Sequence, residues 1–223
     1  MEEMIQISYP LTAKSPLYPG TPPLSIKYVK DFGYGDTSRS SIISFSSHAG
    51  THLDMPSHVC PDRANDDGFR WDFRIDLYPC RCVDVKKSGD EPVNLNDIPQ
   101  VISSDITIQA LFIRTGMWEM REKDPEGYSV HHPWLHPDCV LTLRERYPSL
   151  KLLGVDLVSI TNPLFRDYGR ESHRLLLCGD SPVLILEDLN LSPNLLLQGD
   201  FHLVIAPIVH ESLDGMPVFC FIY

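Results

Sequence analysis

The stretch from His48 to His58 reads His-Ala-Gly-Thr-His-Leu-Asp-Met-Pro-Ser-His, and it carries more information about this chain than any other stretch. In an extended chain, alternate side chains lie on one face, about 6.6 Å apart at positions i and i+2. Pro56 favours this conformation, because proline is excluded from helix interiors and disfavours a helical backbone at the residue before it. The sequence therefore predicts that one set of side chains points to a common place: His48, His52, Asp54 and His58.

This set predicts a metal site, because imidazole and carboxylate groups are ligands that divalent metals accept. Gly50 lies on the same face and has no side chain, so it leaves room for an ion or a substrate. The spacing from His48 to His52 also occurs in the helical HExxH motif of zinc proteases. Ala49 stands where that motif has glutamate, and Gly50 lies in mid-segment, so we exclude the protease motif.

Two residues far from this stretch are candidates to complete the site. His173 lies in a predicted helix over residues 165–177, and Glu187 follows the apolar strand predicted over 183–186. A charge at the end of a buried strand is costly to desolvate unless it meets a cation. The residues alone leave alternatives open, because His173 could lie on a helix surface and Glu187 could point into water.

Composition narrows the class of protein. The chain has 30 acidic residues against 19 Lys plus Arg, a formal charge of −11, which argues against a nucleic-acid partner. Its 223 residues suit one domain over 1–223. The N-terminal residues lack a signal-peptide pattern, and no apolar run reaches the roughly 18 residues of a membrane span. We therefore expect a soluble, cytoplasmic protein without a membrane partner.

In a cytoplasmic protein the six cysteines are expected to be reduced rather than paired. Cys80 and Cys82 are two residues apart in a predicted strand, so we interpret them as buried thiols on one strand face, with a zinc role as the alternative.

The predicted fold is α/β (α+β), a barrel-like domain of many strands and few helices. The 19 prolines disfavour long helices, and five of them make residues 1–24 an extended N-terminal arm. Helices are predicted at residues 137–147 and 165–177. Strands are predicted at residues 25–30, 40–45, 80–85, 106–114, 152–156, 183–186, 201–207 and 217–222.

The stretch from His48 to His58 matches the HxGTHxDxPxH signature, and by it the chain resembles the cyclase-like metal-dependent hydrolases, which include bacterial kynurenine formamidase and isatin hydrolases. The similarity covers nearly the whole chain. It continues through Tyr18-Pro19-Gly20, Arg114-Thr115-Gly116, Gly154-Val155-Asp156, His173, Ile185-Leu186-Glu187-Asp188-Leu189 and Asp214-Gly215 with Pro217-Val218.

The resemblance implies a swivelling β/β/α barrel-like domain that forms a homodimer or homotetramer. It also implies two divalent ions, with zinc preferred and manganese as the alternative. One ion would be held by His48, His52, Asp54 and Glu187. The second would be held by Asp54, His173 and Glu187, so that both carboxylates bridge. His58 would be a general acid/base and not a ligand.

The implied activity is hydrolysis of an amide or cyclic amide by a metal-activated hydroxide, with an arylformamide such as N-formylkynurenine as the leading small-molecule substrate. Two departures of this sequence from the family pattern bear on the substrate more than on the metal ligands. Tyr18, the substrate-binding candidate, replaces a tryptophan of kynurenine formamidases, and Ser159-Ile160-Thr161 replaces a Ser-x-Asp. Trp71 and Trp134 are further candidates for an aromatic pocket, which His131 and His132 could also line.

Three alternatives stay open at this stage. The first is an isatin-type or other lactam or ester hydrolase of the same family with one manganese ion. The second is a non-haem iron oxygenase, because His52, Asp54 and His173 form a set of two histidines and one carboxylate. The third is a metal-binding protein without catalytic activity.

Overall fold

The computed structural model describes residues 4–64, 75–99, 107–207 and 213–223. The helices are α1 (Trp118–Lys123), α2 (Pro125–Val130), α3 (Pro137–Arg146) and α4 (Arg166–Leu177). The strands are β1 (Ile5–Gln6), β2 (Ser25–Lys30), β3 (Ser40–Ser44), β4 (His52–Asp54), β5 (Ile75–Asp84), β6 (Pro92–Val93), β7 (Ala110–Arg114), β8 (Trp134–Leu135), β9 (Leu152–Val155), β10 (Leu184–Glu187), β11 (Phe201–Pro207) and β12 (Gly215–Ile222).

Seven strands form a closed sheet, which confirms the predicted barrel-like α/β fold. Their order is β12-β11-β5-β7-β9-β10-β4, and β4 pairs with β12 to close the ring. β5, β7, β9 and β10 run parallel to one another, whereas the other pairs of the ring are antiparallel. β1 adds to the outside of β12, and β2 and β3 form a separate hairpin.

The parallel strands read as continuous apolar runs because both of their faces are covered. Phe112 and Leu152 point into the barrel interior, and the alternate residues Ile113 and Leu153 pack against the helices. Gly154 of β9 is required by this packing, since a Cβ atom there would lie 2.6 Å from the Phe112 ring. Two buried clusters result, one inside the barrel and one between the barrel and α3 and α4.

Both predicted helices are present, with ends within one residue of the prediction. α3 begins at Pro137, since proline suits the first turn, where its missing N–H has no partner to lose. The predictions did not include α1 and α2, which are six residues each. None of the helices in the described part of the chain combines the length and the hydrophobicity of a membrane span.

The predicted extended conformation of residues 48–58 is correct only in its middle. The chain is a strand at His52–Asp54, and Gly50 before it has φ of 65°, a left-handed value that favours glycine. After the strand, Pro56–His58 form a 3₁₀ turn. The prediction that Pro56 keeps the chain extended was therefore wrong, because proline also suits the first position of a helical turn.

The expectation that all cysteines are reduced was wrong for one pair. Cys60 and Cys178, which are 118 residues apart in sequence, form a disulfide. It joins the segment after the 3₁₀ turn to the residue that ends α4. Cys80 and Cys82 are free on β5, the first fully buried and the second partly buried.

Candidate metal centre

The closing strand β4 carries two of the predicted ligands. His52 lies opposite Glu187 of β10 in the antiparallel register, so both side chains point to the same face, and Asp54 follows two residues later on that face. Leu53 points the other way, into the barrel core. α4 packs over this face and adds His173. These four polar side chains are at most 5% exposed.

The four side chains converge on one point. His52 Nε2 lies 3.4 Å from Asp54 Oδ1 and 3.4 Å from Glu187 Oε2. His173 Nε2 lies 3.4 Å from Asp54 Oδ2 and 3.7 Å from Glu187 Oε1. Each carboxylate therefore faces both imidazoles, which is the arrangement expected of carboxylates shared between two ions.

The backbone fixes which imidazole nitrogen faces the carboxylates. His52 Nδ1 donates to the Gly50 carbonyl at 2.7 Å, and His173 Nδ1 donates to the Gly169 carbonyl at 2.8 Å. In a neutral imidazole the remaining Nε2 is then an acceptor, and here it faces carboxylate oxygens, which are also acceptors. Buried acceptors that face each other need a cation between them. Histidines that ligate metals are commonly held by such a hydrogen bond to a carbonyl, so the residues fit a divalent ion.

Without a metal ion, protons would supply the positive charge. Burial lowers the pKa of His52, but Asp54 and Glu187 outweigh it and raise that pKa well above its usual value. The pKa of His173 is also raised, against the effect of burial, by Asp54 and Glu187. For Asp54, burial raises the pKa, but the histidines around it, led by His48, hold it well below its usual value. The centre thus favours bound positive charge.

His48 lies at the edge of this centre and joins it to a further carboxylate. Its Nδ1 lies 2.7 Å from Asp54 Oδ1, and its Nε2 lies 2.9 Å from Asp214 Oδ2. Burial lowers the pKa of His48, but Asp54 and Asp214 outweigh burial and raise it to about 9. Ligand atoms of two overlapping groups lie within 4.8 Å of one another: His52, Asp54 and Glu187, and His48, Asp54 and His58.

His58, the predicted acid/base, stands above this centre with its side chain 31% exposed. Its Nδ1 lies 3.2 Å from Asp214 Oδ2, and its ring centroid is 4.1 Å from that of His48. The two imidazoles lower the pKa of Asp214 from its usual value. His58 can therefore exchange protons with the cavity while a carboxylate fixes its ring.

The sequence reasoning gave Asp214 no role, although this residue belongs to the C-terminal part of the resemblance. Ser47 Oγ also donates to Asp214 Oδ1, at 2.9 Å. Gly215 next to it is required, because a Cβ atom there would lie 2.7 Å from the His48 ring. The signal in the sequence was that Asp214 immediately precedes the last strand, where a carboxylate can reach a neighbouring strand.

Glu187 is held in place by the segment that departs from the family pattern. The Ile160 amide donates to Glu187 Oε1 at 2.8 Å, and Ser159 Oγ donates to the same oxygen at 3.2 Å. Thr161 Oγ1 lies 3.1 Å from His173 Nδ1. The replacement of the acidic residue by Thr161 thus leaves a polar contact to a candidate ligand.

The residue after Glu187 anchors it from the other side. Asp188 has φ of 55° and accepts two hydrogen bonds from Arg121, at 2.6 and 2.7 Å. The Tyr128 hydroxyl donates to Asp188 Oδ1 at 2.9 Å, and the Tyr9 ring lies 3.5 Å below the guanidinium of Arg121. This buried network joins the N-terminal arm and α1 to the end of β10.

A cavity of about 330 Å³ opens above the candidate metal centre. Tyr18 lies on its wall, as the sequence predicted for a substrate-binding residue, and His58 lines it too. Trp134 does not line it. Its ring is buried against Phe165, with ring centroids 5.0 Å apart.

His131 and His132 also lie away from the cavity lining. His131 is exposed, and His132 is fully buried with its Nδ1 2.8 Å from the Pro133 carbonyl oxygen. The predicted contribution of Trp134 and these histidines to an aromatic pocket was therefore wrong. Trp71 lies outside the described residues.

Comparison with known proteins shows similarity along nearly the whole chain. The chain is 28% identical over 221 residues to a kynurenine formamidase from Geobacillus thermodenitrificans, covering 98% of this chain and 96% of that protein. It is also 28% identical over 218 residues to a kynurenine formamidase from Bacillus cereus, covering 97% of this chain and 95% of that protein.

Solved structures of low sequence identity share the fold. An isatin hydrolase bound to the product analogue thioisatinate superposes with a TM-score of 0.75 at 18% identity, covering 99% of this chain and 92% of that one. A protein from Bacillus stearothermophilus, described as a predicted metal-dependent hydrolase, superposes with a TM-score of 0.68 at 18% identity, covering 99% of this chain and 97% of that one. The Cyclase family model matches residues 5–162. With its HxGTHxDxPxH stretch at the closing strand of the barrel, the chain belongs to the cyclase family.

Proposed function

We propose that this protein is a metal-dependent hydrolase that cleaves the C–N bond of an amide or cyclic amide, with an N-formylated aromatic amine as its substrate. One observation carries the proposal. Two imidazole Nε2 atoms face two buried carboxylates at the bottom of a cavity, with a third, partly exposed imidazole beside them. The similarity to kynurenine formamidases over nearly the whole chain supports the choice of substrate.

The proposed metal ligands are those that face each other in the centre. His48, His52, Asp54 and Glu187 would hold one ion, and Asp54, His173 and Glu187 would hold a second. Imidazole and carboxylate accept both zinc and manganese, and we propose zinc as the resident metal with manganese as the alternative. When bound, two such ions would lower the pKa of a water molecule towards neutrality and polarise the carbonyl oxygen of the substrate.

His58 would supply the proton transfers. It would accept a proton from the attacking water and return it to the leaving nitrogen, so that the amide becomes a carboxylate and an amine. The Asp214 carboxylate at 3.2 Å would fix the orientation of the ring and stabilise its protonated form. Tyr18 would contact the substrate from the cavity wall.

We further propose that the chain, as one domain over residues 1–223, forms a homo-oligomer, either a dimer or a tetramer. Every residue of β2 and β3 is exposed, including the apolar Ile26, Tyr28 and Ile43. A two-stranded hairpin is marginally stable by itself, so an apolar hairpin of this kind needs a covering surface. The cytoplasmic location stays a prediction.

The test is elemental analysis of the purified protein followed by assays with zinc or manganese added. We expect one to two equivalents of metal per chain and hydrolysis of N-formylkynurenine faster than of isatin. The reverse order of rates would favour the isatin-type lactam hydrolase with one manganese ion. Consumption of oxygen coupled to loss of substrate would overturn the proposal in favour of an iron oxygenase. Tightly bound metal without turnover of amides, lactams or esters would favour a non-catalytic protein.

A further inference from the structure

Two arginines line the cavity above the candidate metal centre. Arg166 and Arg170 lie on α4 together with His173, at positions i, i+4 and i+7, so the three side chains share one face of the helix. His173 reaches the bottom of the cavity. At a rise of about 1.5 Å per residue, the Cα atom of Arg170 lies about 4.5 Å from that of His173 along the helix axis, and the Cα atom of Arg166 lies about 10.5 Å from it. The cavity thus has anionic groups at its bottom and cationic groups on its outer wall.

The partners of these arginines leave them able to bind an anion. Arg166 lies beside the hydroxyl of Tyr18, a side chain without a carboxylate, and both residues line the cavity. Arg170 Nη1 lies 3.3 Å from Asp167 Oδ1, with side chains 61% and 97% exposed, and such a surface pair is weak. Among the described lining residues, the acidic groups are Asp54 and Glu187, both at the bottom. A negatively charged ligand group on the outer wall would therefore meet two guanidinium groups, and it would compete only with the exposed Asp167, which does not line the cavity.

We propose that Arg166 and Arg170 bind a carboxylate on the substrate, so that the enzyme selects aryl amides that carry a carboxylate over those that lack one. This inference rests on the proposed amide hydrolysis. The guanidinium fork matches a carboxylate with two parallel hydrogen bonds. In N-formylkynurenine five atoms separate the formamide nitrogen from the carboxylate carbon, so one molecule can present its amide to the metal centre and its carboxylate to α4.

The test compares two substrates that differ at the carboxylate, N-formylkynurenine and its carboxamide, which both keep the α-amino group. The variants are Arg166→Gln, Arg170→Gln and the double variant, with Arg174→Gln as the matched control, because Arg174 is exposed on the same helix but does not line the cavity. A lost charge-assisted hydrogen bond predicts a fall in kcat/KM of about 10–100-fold for N-formylkynurenine in the double variant. The carboxamide and the control variant should change by less than about 3-fold. Calorimetry should show weaker binding of kynurenine to the same variants.

The outcomes of this experiment distinguish failure of the arginine assignment from failure of the proposed function. An equal loss for both substrates, or no loss for either, overturns the assignment of the arginines and leaves the hydrolase intact. Wild-type protein that carries metal but hydrolyses neither substrate overturns the proposed function, and this inference with it. Because Arg166→Gln also changes a neighbour of Tyr18 in the arm, Arg170→Gln, which leaves Arg166 in place, must show the same selective loss.

Discussion

Two regions of this protein reverse the usual distribution of side chains. At the barrel closure, His52, Asp54, His173 and Glu187 are polar and at most 5% exposed. In the hairpin of β2 and β3, Ile26 and Ile43 are apolar and more than half exposed. Burying unpaired charge and exposing apolar surface are both unfavourable. Each region would therefore be stabilised by a partner, and the two partners proposed above, a metal ion and a second subunit, differ in kind.

The chemistry of each region identifies what would complete it. The buried region presents acceptors towards acceptors and so requires a cation, whereas the hairpin presents aliphatic side chains and so requires an apolar surface. The two requirements are independent, because the hairpin strands do not pair with any strand of the barrel. Substitutions in one region should leave the other unaffected, which the following predictions test.

The largest effect is expected for Asp54→Ala. Asp54 lies within 3.4 Å of His48, His52 and His173, so its removal leaves three imidazoles without their shared partner. We expect loss of bound metal and turnover at the background of the assay, measured by elemental analysis and steady-state kinetics. Asp138→Ala removes a carboxylate that is 89% exposed and should change neither quantity. Retention of full metal content in Asp54→Ala would contradict its assignment as a bridging ligand.

A smaller effect is expected for His58→Ala, which should retain the metal and lose turnover. Removal of a general acid/base typically lowers kcat by about 10²–10⁴. His131→Ala, which removes a histidine 56% exposed and outside the cavity, is the control. If the metal content of His58→Ala fell as far as that of Asp54→Ala, His58 would be a ligand, as its proximity to His48 and Asp54 also permits.

The smallest effect on activity is expected in the hairpin. Ile26 and Ile43 are cross-strand partners, so Ile26→Lys with Ile43→Glu keeps an attractive pair while removing the apolar surface. Light scattering should show a shift from oligomer to monomer, with metal content and kcat within about 2-fold of wild type. Ser25→Lys with Ser44→Glu changes the neighbouring pair on the opposite face and should leave the oligomer intact. A monomeric mass for the wild-type protein in light scattering would contradict the proposed homo-oligomer.

The parts of the fold and site that could be predicted from the sequence are those set by local patterns. β2 and β11 have the predicted bounds, because apolar alternation and flanking turn residues fix a strand within a few positions. The candidate site residues within residues 48–58 were identifiable because three histidines and one aspartate recur there in phase. His173 and Glu187 needed the family resemblance, since either could have faced water.

The parts that could not be predicted depend on contacts between distant residues. Asp214 contacts His48 from 166 positions away, and Cys60 pairs with Cys178 from 118 positions away. Spacing in the sequence carries no information on such pairs, because the barrel closure brings them together. The placement of Trp134 was wrong for the same reason: its partners, including Phe165, come from a distant segment and bury it in the core.

The closing strand β4 has a consequence for biosynthesis. β4 is made early, but its two neighbours, β10 and β12, are made late, and β12 follows every other strand of the chain. Until β10 has been translated, His52 and Asp54 have no Glu187 opposite them, and the nascent chain carries only part of the proposed site. Binding of the proposed metal ions would therefore follow translation of β10 and accompany closure of the barrel by β12.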